Sequence, residues 1–256
     1  MTNVEAYLKS PTERVDDLLC NGLKIIQDKN SYCFSIDAVL LSNFVRAGKK
    51  DRIIDLGTGS GVIPLLLSAK TEAPKIVGIE MLEEVAERAE RSVLMNNLKG
   101  RVKIICGDLK EAPRIFGRES FTVVVTNPPY MRMDEGKISP KKDIAIARHE
   151  VAATLEDVVN AAAGLLTFGG KFYMVYRTWR LTDAIFELKN RALEPKLLRF
   201  IQPRAADPPN LFLVLAQKGA GSGLKILPPL VVYNDDGNYT EEINRIYFED
   251  LKSSSS

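Results

Sequence analysis

An apolar run that leads into a glycine-rich turn constrains the fold of this 256-residue chain more than any other feature. Residues 52–61 read Arg-Ile-Ile-Asp-Leu-Gly-Thr-Gly-Ser-Gly, and a helix-like apolar segment follows, with Pro64 near its start. Because glycine has no Cβ, the backbone at Gly57, Gly59 and Gly61 can turn sharply and a ligand can approach it closely. The run therefore predicts a strand, a tight turn and a helix.

Two details of this turn separate two classes of cofactor. A dinucleotide site with the spacing Gly-x-Gly-x-x-Gly would need a third glycine at position 62, where this chain has Val62. Asp55, just before the turn, would lie badly beside a pyrophosphate, whereas a carboxylate there suits a cationic amino-acid group. S-adenosylmethionine carries such a group and a dinucleotide does not. We therefore expect S-adenosylmethionine as the cofactor and S-adenosylhomocysteine as its product.

Three further strand candidates end at Glu80, at Asp108 and just before Asn127. In open α/β sheets, ligands bind at the edge where the carboxyl ends of the strands meet. A single acid at a strand end is more often a solvated loop residue or a helix cap. Together with Asp55, however, these residues mark four strand ends and favour a binding site. Glu80 is expected to accept both hydroxyls of a ribose and Asp108 the adenine amino group of the cofactor.

Asn127 begins the sequence Asn-Pro-Pro-Tyr, in which each proline holds the residue before it extended. A planar, conjugated nitrogen is a poor nucleophile until its amino group is drawn toward a tetrahedral geometry. The side-chain oxygen of Asn127 and the main-chain oxygen of Pro128 are predicted to accept its two N–H groups, while Tyr130 stacks on the base. Asn127, Pro128 and Tyr130 are the predicted catalytic residues, and Pro129 and Tyr130 are predicted to contact the substrate. A proline-stiffened turn without function is the alternative.

With these motifs in place, the chain resembles the bacterial tRNA1(Val) (adenine(37)-N6)-methyltransferase family. These enzymes are class I S-adenosylmethionine-dependent methyltransferases with an Asn-Pro-Pro-Tyr motif. The resemblance covers nearly the whole chain, and its most family-specific segments are 23–27, 34–41, 229–233 and 237–240. It implies methyl transfer from S-adenosylmethionine to the exocyclic N6 amino group of an adenine in tRNA, at the anticodon-loop position 37 of a valine tRNA. The expected cofactor-binding residues are Asp55, Gly57, Gly59, Gly61, Glu80, Met81, Asp108, Leu109 and Asn127.

Strand and helix patterns alternate through most of the chain, which is typical of a parallel sheet covered on both faces. We expect an α/β fold of the class I methyltransferase (Rossmann-like) type. Its sheet should have seven strands, helices on both faces and a C-terminal antiparallel hairpin. Residues 51–218 are expected to form the methyltransferase core, and residues 219–256 a small C-terminal extension.

Residues 1–50 are expected to cover the cofactor and substrate cleft. Within them, residues 34–44 read as a short amphipathic helix whose Phe34 and Asp37 are predicted to face the ligand and bind the substrate. Core packing and a helix cap explain these two residues equally well.

Composition limits the partners of the chain. The net charge is only +2, although residues 171–204 hold eight Lys or Arg against three acids. Such a stretch suits a phosphate backbone, and a solvated face explains it equally well. The three cysteines lack Cys-x-x-Cys spacing, and the single histidine, His149, is too few for a site of several imidazoles. We expect no metal, no membrane span, a cytoplasmic location and a tRNA partner, as a monomer or a homodimer.

Other activities remain open on the sequence. A protein-glutamine N5 methyltransferase faces the same conjugated-nitrogen problem and uses the same four-residue motif. Such enzymes usually have a longer helical N-terminal domain, whereas about fifty residues precede the first core strand here. A DNA adenine or ribosomal-RNA guanine-N2 methyltransferase is also possible. A non-catalytic, cofactor-binding RNA-interaction module is the alternative from another class, and the intact Asn-Pro-Pro-Tyr motif argues against it.

Overall fold

The computed structural model describes residues 4–30, 35–128 and 153–248. These residues form a two-stranded sheet, an eight-stranded sheet and helices that cover the larger sheet. The strands are β1 (Glu13–Asp17), β2 (Lys24–Asp28), β3 (Arg52–Leu56), β4 (Lys75–Glu80), β5 (Val102–Cys106), β6 (Phe121–Thr126), β7 (Leu166–Arg177), β8 (Leu193–Gln202), β9 (Leu211–Lys218) and β10 (Lys225–Val231). The α-helices are α1 (Ile36–Phe44), α2 (Val62–Lys70), α3 (Glu83–Met95), α4 (Ala112–Phe116), α5 (Leu155–Leu165), α6 (Leu181–Asn190) and α7 (Glu241–Phe248). Short 3-10 helices lie at Val4–Tyr7, Leu109–Glu111 and Thr178–Arg180.

The large sheet has the strand order β10-β8-β9-β7-β6-β3-β4-β5. Strand β9 is antiparallel to both of its neighbours, and the other neighbouring strands are parallel. The predicted C-terminal antiparallel hairpin, β8–β9, is therefore confirmed. We call the edge at which the carboxyl ends of the parallel strands lie the carboxyl edge. The glycine turn after β3 and the residues after β4, β5, β6 and β7 all lie at this edge.

The predicted number of strands was wrong, because the sheet has eight strands and not seven. The extra strand is β10, which pairs in parallel with β8 at the end of the sheet. It contains Pro228 and Pro229, and its register shifts between Leu227 and Leu230. Proline cannot donate a ladder hydrogen bond, so it is tolerated in an outermost strand with an irregular register.

The apolar strands of the sheet are buried on both faces, as the prediction of helices on each side requires. Ile53 in β3 is fully buried among residues of α1, α2, α3 and α7, whereas its neighbour Ile54 is buried among residues of α4, α5 and α6. Successive side chains of a strand point to opposite faces, so one strand contributes to two cores. The carboxyl edge is thus supported by packed cores on both faces of the sheet.

The small sheet, β1 and β2, packs on α3 through charged side chains. Glu13 is buried and accepts hydrogen bonds from Arg91 Nη2 at 2.6 Å and from Arg88 Nε at 3.3 Å. The hydrogen bonds from Arg91 hold the pKa of Glu13 at about 2, below its usual value of 4.5, against the opposing effect of burial. Ser92 of α3 also accepts from the backbone N–H of Ile26 at 3.0 Å. The hairpin is thus fixed to the helix that follows β4.

The described residues after β9 form β10 and α7, and α7 packs on α1. Three tyrosine rings stack there: the Tyr233 and Tyr239 centroids are 5.4 Å apart, and those of Tyr239 and Tyr247 are 5.7 Å apart. No helix in the described part of the chain combines the length and apolarity that a membrane crossing requires. In the same residues, no group of three or more His, Cys, Asp or Glu side chains is arranged to hold a metal ion.

Candidate functional site at the carboxyl edge

Asp55 is a buried carboxylate without a hydrogen-bond partner among the described residues. It lies in β3 with no exposed surface, and among the described residues neither of its oxygens has a hydrogen-bond partner. Burial raises the pKa of Asp55 to about 7; the nearby Thr58 hydroxyl offsets part of this change, and the charge of Glu80 adds to it. That hydroxyl does not reach full hydrogen-bond geometry and, within the same residues, has no other partner. Buried polar groups without hydrogen-bond partners lower the stability of the fold unless a ligand supplies those partners.

The glycine turn runs from Gly57 to Gly61 with left-handed backbone angles, φ +72° at Gly57, +55° at Gly59 and +82° at Gly61. The backbone N–H groups of Gly57 and Thr58 donate to the carbonyl of Ile79, at 3.0 and 2.9 Å, which fixes the turn to β4. A Cβ on Gly59 would meet nothing within 4 Å, so this part of the turn is open to a ligand. At Gly61 a Cβ would lie 3.1 Å from the Cβ of Ala89, so that glycine permits close packing on α3.

Glu80 ends β4 and is buried. Its Oε2 accepts from the backbone N–H of Gly59 at 2.9 Å, and its Oε1 accepts from that of Leu82 at 3.0 Å. The carboxylate therefore holds the glycine turn in place. Each oxygen can accept a second hydrogen bond, so acceptance of ribose hydroxyls stays a prediction compatible with this geometry.

Asp108 follows β5 and caps the 3-10 helix Leu109–Glu111. Its Oδ1 accepts from the backbone N–H of Lys110 at 2.9 Å, and its Oδ2 lies 3.4 Å from Lys110 Nζ. The helix-cap alternative is thus present in the structure, and the contact with adenine stays a prediction. Of the two residues predicted beside the acids, Leu109 is half-buried against the core, and Met81 is 42% exposed at the carboxyl edge.

Asn127 lies one strand away from the glycine turn. The register pairs Leu56 of β3 with Thr126 of β6, so the next residues, Gly57 and Asn127, leave the sheet side by side. Thr126 is fully buried and donates through its hydroxyl to the carbonyl of Leu56 at 2.9 Å, which locks the two strand ends together. Asn127 is half-buried and Pro128 is buried. The structure therefore brings together the predicted methyl-donor site and the predicted acceptor site.

Some predicted site residues lie outside the described part of the chain, namely Phe34, Pro129 and Tyr130. Asp37 is described and is buried in the first turn of α1. Burial raises the pKa of Tyr247, and the charge of Asp37 contributes to the change, so this carboxylate lies near α7. The predicted contact of Asp37 with substrate stays a prediction.

Gly78 is a site residue that the sequence reasoning missed. It lies inside β4, and a Cβ there would be 2.8 Å from both Cγ2 and Oγ1 of Thr58 and 2.9 Å from Cδ1 of Ile104. Only glycine lets Thr58 and the glycine turn pack against β4 in this way. A glycine inside a strand pattern often marks a close approach of another backbone, and that signal was available in the sequence.

The chain is similar in sequence to curated methyltransferases. A tRNA1(Val) (adenine(37)-N6)-methyltransferase of Bacteroides thetaiotaomicron is 27% identical over 233 residues, which cover 88% of this chain and 94% of that protein. A protein of the same name from Erwinia tasmaniensis is 25% identical over 218 residues, or 84% of this chain and 86% of that protein. These relatives confirm the resemblance inferred from the sequence.

A solved structure of a predicted O-methyltransferase from Agrobacterium tumefaciens has the same fold. Its TM-score is 0.67 at 22% identity, and the match covers 82% of this chain and 95% of that one. The family model described as "Methyltransferase small domain" matches residues 34–190, which contain the glycine turn, the strand-end acids and Asn127. Since this match includes more than half of the chain, the protein belongs to the methyltransferase small domain family.

Proposed function

We propose that this protein transfers a methyl group from S-adenosylmethionine to the exocyclic N6 amino group of an adenine in tRNA. The observation that carries the proposal is the register of β3 and β6, which sets Asn127 beside the glycine turn. The curated relatives named for adenine-37 N6 methylation of a valine tRNA support the choice of substrate.

The residues of the carboxyl edge fit S-adenosylmethionine, which supplies a methyl group on a positively charged sulfur. Asp55 is buried and without a partner among the described residues, so it suits the ammonium group of the cofactor's amino-acid moiety. The hydroxyl of Thr58 lies beside it and also has no hydrogen-bond partner in the part of the chain that the structure describes. Glu80 would accept from the ribose and Asp108 from the adenine. Gly59 leaves room for the ligand to reach the backbone.

Asn127 and Pro128 would prepare the nucleophile. The side-chain oxygen of Asn127 and the main-chain oxygen of Pro128 accept the two N–H groups of the adenine amino group and turn its lone pair toward the methyl donor. Positioning of the two reactants and acceptors matched to the charge developing on nitrogen supply most of the rate increase. No general base is required, since the methylated nitrogen is acidic enough to lose its proton to water or to these acceptors.

An anticodon loop suits this chemistry. The target base must leave its stack before it can enter the site, which costs a few kcal/mol and costs less in a single-stranded loop than in a duplex.

We also propose that the protein acts in the cytoplasm, where tRNA is modified. Light scattering after size exclusion would distinguish a monomer from a homodimer.

One experiment tests the proposed reaction. The protein is incubated with labelled S-adenosylmethionine and total tRNA from a strain lacking the gene, and the tRNA is digested to nucleosides. We expect label in N6-methyladenosine, with sequencing placing it at position 37 of a valine tRNA. Parallel reactions contain DNA, ribosomal RNA or total protein in place of tRNA, and label in one of these but not in tRNA would contradict the proposal. Cofactor binding by calorimetry without transfer to any substrate would favour a non-catalytic module.

A further inference from the structure

Trp179, the only tryptophan of the chain, lies just past the carboxyl end of β7. Strand β7 pairs in parallel with β6, and Thr126 of β6 is opposite Met174. Continued by two residues, this register sets Pro128 level with Tyr176. Because β6 lies between β3 and β7, Trp179 is at the same edge as the substrate motif, on the side away from the cofactor turn.

The backbone around Trp179 is anchored to a neighbouring loop. Thr178, the residue before it, donates through its N–H to the carbonyl of Asn210 at 3.2 Å and through its hydroxyl to the carbonyl of Pro209 at 2.8 Å. The loop that contains both acceptors leads into β9, which pairs with β7. The backbone position of Trp179 is therefore set by the sheet.

The indole itself is held by a guanidinium. The Cζ of Arg180 lies over the Trp179 ring, 5.5 Å from its centroid, and 5.9 Å from the centroid of Tyr176. The Nε of Arg180 also donates to Asp183 at 2.6 Å, which restrains the guanidinium in this place. Even so, Trp179 is 51% exposed, which is unusual for so large an apolar side chain. The contacts support the ring but leave half of the residue's surface open.

We propose that Trp179, backed by Arg180, is a stacking platform for an unpaired RNA base next to the target adenine. This inference rests on the proposed function. Proteins that read single-stranded loops stack splayed bases on aromatic rings and on arginine planes, in grooves with an excess of basic residues. When the target adenine leaves its stack, the adjacent base loses one stacking partner. The indole of Trp179, at the same edge of the sheet, takes the place of that partner. The platform lies within the stretch 171–204, with its excess of Lys and Arg.

The single tryptophan makes the test direct. When fluorescence is excited at wavelengths that the indole absorbs and tyrosine does not, the emission comes from Trp179 alone. The protein, with S-adenosylhomocysteine, is titrated with a synthetic valine anticodon stem-loop RNA and, in parallel, with a fully paired RNA of the same base composition. Base stacking quenches indole emission. We expect saturable quenching by the stem-loop and little by the duplex.

Variants separate stacking from a structural role. Trp179→Ala should raise KM for the stem-loop about 5- to 100-fold, with a smaller change in kcat and unchanged S-adenosylhomocysteine affinity. Trp179→Phe should restore most of the loss. The matched control is Phe168→Ala: Phe168 is 79% exposed on the same strand, near its amino end and thus at the opposite edge of the sheet. This variant should leave KM unchanged.

Emission that does not change as the stem-loop binds overturns the platform, as does a Trp179→Ala variant with the same KM as Phe168→Ala. The two proposals fail separately. Methylation of tRNA without quenching refutes the platform and leaves the reaction standing. Saturable quenching by the stem-loop without methylation supports the platform and refutes the proposed reaction. Absence of any RNA binding refutes both.

Discussion

Asp55 links the stability of the cofactor-free protein to its affinity for the cofactor. Burial raises the pKa of this carboxyl from 3.8 to about 7. Between these pH values the folded protein keeps a proton that the unfolded chain has lost. The free energy of unfolding therefore falls as pH rises from about 4 to about 7 and stays low above that. Each unit of difference between the folded and unfolded pKa values corresponds to about 1.4 kcal/mol. The full loss in free energy of unfolding is therefore on the order of 4 kcal/mol.

Asp55→Asn removes this ionisation and keeps the shape of the side chain. At pH 8 the cofactor-free variant should be more stable than the wild type by up to about 4 kcal/mol, which corresponds to roughly 10 °C in melting temperature for a chain of this size. At pH 4 the difference should nearly vanish. Thermal unfolding at both pH values, followed by circular dichroism, measures the effect. Asp235→Asn, an exposed turn carboxyl, is the control and should change neither value.

Cofactor affinity should change in the opposite direction. Only the ionised carboxylate pairs with the ammonium group of the cofactor, so wild-type affinity for S-adenosylhomocysteine should rise with pH up to about 7 and then level off. Asp55→Asn should bind weakly at every pH, and calorimetry at pH 6 and pH 8 measures both. Lower stability of the variant at pH 8 would refute the reasoning, as would wild-type affinity that is equal at the two pH values.

Three further predictions concern residues at other points of the site and fold. Asn127→Ala should reduce turnover about 100-fold or more in a labelled-methyl assay, because one acceptor for the developing charge is lost, while calorimetric cofactor affinity stays intact. Gly78→Ala should lower the melting temperature by an amount equivalent to about 1–3 kcal/mol and weaken cofactor binding, since its Cβ would lie 2.8 Å from Thr58. Glu13→Ala should reduce unfolding free energy in urea by about 3 kcal/mol, because it leaves Arg91 without this buried partner.

Each of these has an outcome that would contradict it. Unchanged turnover in Asn127→Ala excludes the acceptor role. Gly48→Ala, where a Cβ would meet nothing within 4 Å, is the control for Gly78→Ala, and equal effects at the two positions would contradict the packing argument. Wild-type stability should lose the Glu13 contribution as pH falls from about 4.5 to about 2, since the pKa of this acid is lowered in the fold. If the difference in unfolding free energy between wild type and Glu13→Ala stays constant over this pH range, the proposed role of the Glu13 carboxylate is contradicted.

Local patterns were enough to predict most of the core sheet and its carboxyl edge. Neighbouring residues determine the backbone conformation at these points. The determinants are the glycine spacing, the apolar runs that end in an acid and the two prolines after Asn127. Adjacent placement of sequential strands accounts for the order β3, β4 and β5, whereas β6 crosses back over these strands and pairs with β3. The structure accordingly brings Asp55, Glu80 and Asn127 to the same edge.

Features that depend on distant residues were not predictable in this way. The β1–β2 hairpin is charged, and Glu13 becomes a buried residue only because Arg91, 78 positions away, packs on it. Strand β10 contains two adjacent prolines, which locally argue against a strand. They are tolerated because, among the described strands, β10 pairs only with β8. In both cases tertiary pairing overrides local preference.

The strand-end polar residues look alike in the sequence, but the fold uses them differently. Glu80 and Asp108 accept backbone N–H groups from the turns that follow their strands, and Thr126 donates to the carbonyl of Leu56, so the fold itself satisfies all three. Asp55 and Thr58, in the described part of the chain, have no such partners although they are buried. A buried carboxylate without a donor opposes folding, and a ligand that donates to Asp55 would remove this cost. A cationic group that donates to the carboxylate would stabilise the ionised form of Asp55 and reverse the rise in its pKa, as a neutral donor would to a smaller extent. The position of this acid therefore fits the proposed site of the cofactor's ammonium group, one strand away from Asn127, the proposed acceptor for the target amino group.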